Sequence, residues 1–298
     1  MLELSEKKPV MKSQETFEAI NQATEYLKEC GISNPRRESE ILLGHILGCE
    51  SLDLYLDFKR KVSSKKLDKF QRLLEERRGN LPLQYLIGRA QFMGLDFVLS
   101  PWVFIPRPET EILVEAVLRM VGQGKIDDQR LVIHDLGCGC GNIACSLAKF
   151  LRSVRVIASD ISHQALSVAI LNIRRYGMEK KVSVLRGDLF EPLGYEKMDL
   201  IVSNPPYIRS VDLRDLAPEV KYEPRIALDG GRDGLEILRR VISEGPKYLR
   251  SGGHLVVEIG FNQADRVNEI FRQRKQFVEI EHIKDYNEIE RVIIARKR

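Results

Sequence analysis

The 298-residue sequence has no stretch approaching the roughly 18 uncharged apolar residues of a membrane-spanning helix, which excludes an α-helical integral membrane protein. Residues 1–14 are polar and mixed in charge and lack the apolar core of a signal peptide, so a cytoplasmic setting is expected. Charge imbalance is also missing. Lys and Arg number 47 against 43 Asp and Glu, a net +4, too weak for a dedicated nucleic-acid binder, although it permits a nucleic-acid-associated partner. Cysteine is scarce and odd in number: Cys30, Cys49, Cys138, Cys140 and Cys145 suit reduced thiols rather than a disulfide framework. No C-x2-C pair occurs and the five histidines are scattered, so no metal centre is expected. A hydrophobic content of 43% with 30% charged residues excludes disorder as the main state. At roughly 150 residues per domain, the length suggests two domains, or one with an appendage.

The first ninety residues read as helices. Phe17, Ile20, Ala23 and Leu27 recur at helical spacing before Gly31. Asn34-Pro35 opens a second helix through Ile41, Leu42 and Ile46, which Gly48 ends. A short third helix is expected over Ser51–Phe58. Ser63 or Ser64 caps a fourth with Leu67, Phe70, Leu73 and Leu74 on one face. Lys59, Arg60, Lys61, Lys65, Lys66 and Lys69 form either a solvated face or a patch for an acidic or RNA-bound partner. No strand is expected here. The reading is a helical domain over 1–88, a connector over 89–110 stiffened by Pro106 and Pro108, and a larger domain over 111–298.

From residue 131 short β-branched runs alternate with helical stretches. Strands are expected at Leu131–Leu136, Val154–Ser159, Val182–Arg186, Leu200–Ser203 and His254–Ile259, with helices near 142–152, 163–176 and 233–250. This is the rhythm of a parallel sheet covered on both faces. The last two strands, Phe277–Ile283 and Arg291–Ala295, are separated by only seven residues, too few for a parallel crossover, so they form an antiparallel hairpin. The fold class is α/β: the layout of a class I S-adenosylmethionine-dependent methyltransferase, Rossmann-like and mostly parallel, with a small all-α bundle before it.

Four motifs carry chemistry. In Asp135-Leu136-Gly137-Cys138-Gly139-Cys140-Gly141, a strand turns into a helix through glycines that let backbone approach a ligand. Such a loop is shared with NAD-binding folds, but its spacing is GxGxG rather than GxGxxG. Asp135 is placed to hold the ammonium of an amino-acid-like ligand, which a dinucleotide lacks. Asp160 ends the next strand, 19 residues after Gly141, where an acid can accept both hydroxyls of a ribose. Asp188 and Leu189 follow the third strand, where they can meet the amine and the face of an adenine. Asn204-Pro205-Pro206-Tyr207 follows the fourth strand and is the most informative. Its prolines remove two N–H donors and stiffen the backbone. The Asn204 side-chain carbonyl and the Pro205 carbonyl can then accept both N–H groups of a planar amide or aromatic amine, with Tyr207 stacked on it. Asn204, Pro205 and Tyr207 are the catalytic candidates. Asn204, Pro205, Pro206 and Tyr207 form the substrate site, and Asn204 also borders the donor.

Asn-Pro-Pro-Tyr alone admits adenine-N6 DNA enzymes, RNA guanine-N2 enzymes and protein glutamine enzymes. Leu83-Gln84-Tyr85-Leu86-Ile87-Gly88, Phe92-Met93-Gly94-Leu95-Asp96-Phe97 and Ile105-Pro106-Arg107-Pro108-Glu109-Thr110-Glu111 narrow the field. With Glu223-Pro224-Arg225 and Ala227 to Leu235, they resemble the bacterial release factor glutamine methyltransferases, the PrmC/HemK family, over about residues 15 to 295. The resemblance implies methylation of the glutamine in the Gly-Gly-Gln motif of class I peptide chain release factors. S-adenosyl-L-methionine would be the donor, with S-adenosyl-L-homocysteine as product, and the release factor the protein partner, bound by the helical domain. It implies donor binding at Asp135, Gly137, Cys138, Gly139, Cys140, Gly141, Asp160, Asp188 and Leu189, and substrate binding at Asn204 to Tyr207. Arg107 and Thr110 fall near the methionine end of the donor, with packing an equal alternative. The alternative function is a nucleic-acid amino methyltransferase of the adenine-N6 type, which the near-balanced first ninety residues (16 Lys and Arg, 14 Asp and Glu) disfavour. Two departures stand out: Cys138 and Cys140 replace the polar residues of the family's Asp-Leu-Gly-Thr-Gly-Ser-Gly loop, and Asp285-Tyr286-Asn287-Glu288 lacks the glycine of the family's last turn.

Overall fold

Helical periodicity in the first third becomes five helices in a computed structural model that describes residues 15–57, 60–126 and 130–298. They are α1 (Thr16–Glu29), α2 (Pro35–Leu47), α3 (Ser51–Leu56), α4 (Ser64–Arg78) and α5 (Leu83–Ile87). Pro35 occupies the first turn of α2, where its missing N–H costs nothing, and left-handed Gly48 ends that helix. Ala19, Ile20, Ala23 and Leu27 of α1 meet Leu42, Leu43, Leu67, Phe70 and Leu74 in one apolar cluster. Burying each large side chain there contributes roughly 1.5–3 kcal/mol. Phe17, expected on the apolar face, is instead exposed, with the Arg36 guanidinium over its ring. The third helix stops at Leu56; Phe58 and Lys59 lie outside the described residues. Arg60, Lys61, Lys65 and Lys69 are exposed.

The chain separates into two compact units. The first runs to Gly88 and also takes in Pro218–Tyr222, a segment that sequence periodicity gives no reason to place there. Within it, the buried Arg77 of α4 bonds Glu38 of α2 at 2.5 Å and Glu219 of that later segment, and the Tyr222 hydroxyl donates to the Gly79 carbonyl at 2.6 Å.

The second unit begins at Arg89, and the first ten residues of the expected connector pair with one another. Arg89–Phe92 (β1) and Leu95–Val98 (β2) form an antiparallel hairpin. Its turn, Met93-Gly94, has positive φ at both residues, 50° and 69°. That turn normally advertises itself with Asn or Asp before glycine, and Met93 hides it. Neighbours hold the hairpin in place. Glu111 accepts the Met93 N–H at 2.5 Å, and the Asn172 amide bonds both the N–H and the carbonyl of Val98.

The rest is a sheet with helices on both faces. The strands are β3 (Leu131–Leu136), β4 (Val154–Asp160), β5 (Val182–Arg186), β6 (Met198–Ser203), β7 (Leu249–Glu258), β8 (Phe277–Lys284) and β9 (Glu290–Lys297). Their order is β5-β4-β3-β6-β7-β9-β8; the first five run parallel, and β9 pairs antiparallel with both β7 and β8. Around them lie α6 (Pro108–Gly122), α7 (Asn142–Phe150), α8 (His163–Arg175), α9 (Arg225–Leu228), α10 (Glu236–Tyr248) and α11 (Ala264–Arg272). One apolar cluster joins α6, α7 and α8 to one set of strand side chains, and a second joins α10 and α11 to the alternate set. Helix α11, which the sequence reading left unassigned, carries the second cluster through Ala264, Val267 and Phe271. In the final turn Glu288 takes the left-handed conformation at φ 62°, and Asp285 accepts the N–H groups of Asn287 and Ile289. The turn therefore closes without the family's glycine. No helix of the described residues is long and apolar enough to cross a membrane.

Candidate active site

Strand order reverses beside β3, whose partners are β4 on one side and β6 on the other. In an open α/β sheet, ligands bind outside the carboxyl ends of the strands at such a reversal. The predicted residues sit at successive strand ends: Asp135 in β3, Asp160 in β4, Asp188 and Leu189 after β5, and Asn204 after β6. Each strand thus delivers one polar group to the same edge, because parallel strands all end on that side.

The Gly137–Gly141 loop is pinned to β4: Gly137 N–H and Cys138 N–H both donate to the Ser159 carbonyl at 2.9 Å. Gly137, Gly139 and Gly141 adopt φ of 75°, 54° and 80°, where an L side chain is strained. A Cβ on Gly137 or Gly139 would enter open space, so the loop presents bare backbone there. The Cys138 and Cys140 side chains are buried, and Cys138 belongs to the apolar core. Burial pushes both thiols up, Cys140 to about 12, so they stay protonated and any ligand meets backbone rather than sulfur.

Asp135 is fully buried. One carboxyl oxygen accepts the Ala144 N–H at 2.9 Å and so caps the first turn of α7; the other has no hydrogen-bond partner. Burial raises its pKa to about 7, and the nearby Asp160 adds to the rise. Asp160 accepts the Gly139 N–H at 2.9 Å and the Ser162 N–H at 2.8 Å, one on each oxygen. Burial raises its pKa too, against these two bonds. Asp188 is less free than the sequence suggests, because Arg240 of α10 grips both of its oxygens at 3.3 and 2.8 Å. Leu189 is held in the left-handed region at φ 49°. His134 stays out of the chemistry: burial lowers its pKa to about 3, and it bonds Ser159 within the sheet.

Asn204 and Tyr207 are half-buried. The Asn204 side-chain N–H donates to the Thr110 hydroxyl at 3.0 Å, so its carbonyl oxygen is the end left for a ligand. The segment beyond is clamped. Gln263 donates to the Tyr207 carbonyl at 2.9 Å, and the Ile208 N–H donates to the Leu228 carbonyl at 3.0 Å. Gly230 packs so closely that a Cβ would lie 2.7 Å from the Pro206 carbonyl oxygen and 2.8 Å from Tyr207 Cα. The motif at 227–235 therefore braces the motif at 204–207. Glu223 does the same for residues 105–107: its carboxylate accepts the Ile105 N–H at 3.0 Å and pairs with Arg107. Arg107 is thus a brace here, while Thr110 touches Asn204 directly.

One residue of the site escaped the sequence reading. Glu258, the last residue of β7, is 1% exposed and receives the Tyr207 hydroxyl at 3.4 Å. The only hint is an acid ending an apolar strand, a pattern shared with many surface turns.

The PrmC N-terminal domain model matches residues 18–88, and the methyltransferase small domain model matches residues 110–218. A release factor glutamine methyltransferase of Geobacter sulfurreducens is 42% identical over 272 residues, covering 91% of this chain and 93% of that protein. The chain belongs to the release factor glutamine methyltransferase family. A second member, from Moorella thermoacetica, is 38% identical over 94% of this chain and 98% of its own length. Among solved structures, a methyltransferase from Pyrococcus furiosus shares the fold with a TM-score of 0.52 at 18% identity, over 69% of this chain and 90% of that one.

Proposed function

We propose that this protein transfers a methyl group from S-adenosyl-L-methionine to the side-chain amide nitrogen of the glutamine in the Gly-Gly-Gln motif of class I peptide chain release factors, in the cytoplasm. The observation that carries this reading is Asn204. One N–H of its amide donates to Thr110, which leaves its carbonyl oxygen as an acceptor, and the Pro205 carbonyl would be the second. Two fixed acceptors match the two N–H donors of a primary amide.

The residues present fit the donor. Its ammonium matches the unpartnered, buried oxygen of Asp135. The bare backbone at Gly137 and Gly139 leaves room for the amino-acid part. Each Asp160 oxygen keeps a lone pair for a ribose hydroxyl after accepting one N–H. Leu189 would cover the adenine, and Asp188, already bonded by Arg240, would accept from the adenine amine. When bound, S-adenosyl-L-methionine supplies an electrophilic methyl group on a positively charged sulfur.

The protein contributes position and polarisation. An amide nitrogen is a weak nucleophile because its lone pair is delocalised. The Asn204 and Pro205 carbonyls accept hydrogen bonds from its two N–H groups, increase electron density on nitrogen and hold it in line, while Tyr207 stacks on the amide plane. No strong general base is needed, because the methylated amide loses its extra proton readily to water. The helical unit binds the release factor, and the exposed Leu52 and Leu56 of α3 give it apolar surface. No nucleic acid is required.

Mass spectrometry of a release factor incubated with enzyme and donor tests this. One methyl group per factor is expected, lost when the motif glutamine is replaced. Absence of incorporation at saturating donor would overturn the proposal. Labelling of bare DNA or RNA instead would favour the nucleic-acid reading.

A further inference from the structure

We infer that an arginine-lined groove along α10 and α11, opening beside the substrate motif, docks an acidic segment of the protein that carries the reacting amide. The inference rests on the reading that the substrate is a protein, and it adds a determinant of which protein is accepted.

The groove starts two residues beyond Tyr207. Arg209 follows the motif, and its stem packs over Gly234, where a Cβ would lie 3.4 Å from Arg209 Cγ. Arg209, Arg232, Arg239 and Arg266 line one open pocket of about 560 Å³. A second of about 280 Å³ shares Arg239 and Arg266 with it and continues to Arg274. Buried Gln263 ties this groove to the motif. Its side-chain N–H groups donate to the Tyr207 carbonyl at 2.9 Å and the Gly234 carbonyl at 3.2 Å, and its side-chain oxygen accepts the Gly260 N–H at 2.9 Å. A chain that places an amide at Asn204 therefore passes close to the arginines.

Asp233 organises these arginines rather than cancelling them. Its carboxylate receives Arg239 on both oxygens, Arg266 at 2.5 Å and the Leu235 N–H at 3.2 Å. One acid thus holds two guanidinium groups, and its acceptor sites are filled. Arg239 and Arg266 keep further N–H donors, and their side chains are 45% and 47% exposed. Long side chains fixed before binding lose less entropy when a partner docks. Arg232 and Arg274 are exposed and have no side-chain partner among the described residues. Arg209 is the exception, paired with Asp212 at 2.6 Å.

The mixture of charges selects the class of partner. Asp233, Glu236 and Glu269 share the groove with the five arginines. A nucleic-acid backbone carries a charge at every step and would be repelled by those acids. Carboxylates spaced along a peptide can instead meet guanidinium groups one at a time, each through a two-pronged pair. No aromatic side chain lines the groove, so it offers bases no stacking platform.

Two experiments on the full-length protein test this. The first is steady-state methylation of a class I release factor at saturating donor. In Arg232→Glu combined with Arg274→Glu, kcat/KM for the factor should fall about tenfold, the scale of two exposed pairings, with the loss carried by KM. The deficit should shrink as salt rises, because screening weakens exposed pairs. Arg232→Lys with Arg274→Lys should keep most of the wild-type value. Should charge reversal disturb folding, Arg232→Gln with Arg274→Gln gives the same test with a smaller loss. A KM indifferent to these substitutions overturns the inference. The second experiment needs no turnover. Fluorescence anisotropy should show a labelled poly-glutamate peptide binding the wild type and not the double charge reversal, with a labelled single-stranded RNA of equal charge binding more weakly. A peptide that ignores the substitutions, or RNA that binds more tightly and depends on them, overturns the inference. Peptide binding that depends on Arg232 and Arg274 in a protein that methylates no release factor overturns only the substrate reading.

Discussion

Two buried carboxyls of the sheet unit contrast with the buried arginine of the helical unit. In the helical unit, Arg77 is 1% exposed and its charge is matched twice, by Glu38 and by Glu219. One of its nitrogens lacks a hydrogen-bond partner, but the positive charge is neutralised. In the sheet unit, Asp135 and Glu258 are just as buried, and each keeps an oxygen with no partner. Burying a charge is costly unless it is paired, so an unpaired one marks a place where stability gives way to function. Matched charge at Arg77 holds helices together. The unpartnered oxygen of Asp135 is the one the donor's ammonium would take.

Three substitutions press on this contrast. The largest effect is expected from Glu38→Gln, which leaves Arg77 without its better-buried partner. Stability should fall by about 3 kcal/mol in denaturant unfolding, with donor affinity untouched. A loss below about 1 kcal/mol would mean that the Arg77 pairing is ornamental. Next is Asn204→Ala. It should reduce kcat by about 100-fold or more, the scale of losing one positioned transition-state contact. Its effect on stability should stay near about 1 kcal/mol, measured in the same unfolding experiment. A rate close to wild type would remove Asn204 from the chemistry. The smallest of the three is Asp135→Asn, expected to weaken donor binding about tenfold at pH 8 by calorimetry.

The same carboxyl gives a signed pH dependence. Its folded pKa of about 7 lies above the ordinary 3.8, so the proton is favoured in the folded state. Its contribution to stability without donor is complete below about pH 4 and is lost as pH rises to about 7. Donor binding runs the other way and strengthens over the same window, since an ammonium prefers the ionised acid. In Asp135→Asn both slopes should flatten. Unchanged slopes would assign them to other groups.

Much of the sheet unit was legible because its signals are local. β-Branched runs, a GxGxG turn and acids at strand ends fall within a few residues of each other, and parallel strands deliver them all to one edge. The short spacing before Arg291 was enough to make the last pair antiparallel. The β1–β2 hairpin was not legible, because Met93 occupies a left-handed position that usually carries Asn or Gly. Helix α11 was missed because it is only nine residues long and polar on its outer face. The helical unit's use of Pro218–Tyr222 was hidden for another reason: nothing in a chain shows that residues about 130 positions apart will fall in one compact unit.

The site divides in the same way. By itself the sequence determined the family, the parallel sheet and the residues at the strand ends, since motif spacing and alternation are properties of neighbouring positions. Only the tertiary structure decided that Asp188 is shared with Arg240, that the Cys138 and Cys140 thiols face the core, and that Glu258 receives the Tyr207 hydroxyl. Those facts depend on which strands and helices are brought together, and a buried carboxylate acquires its meaning from the neighbours that desolvate it.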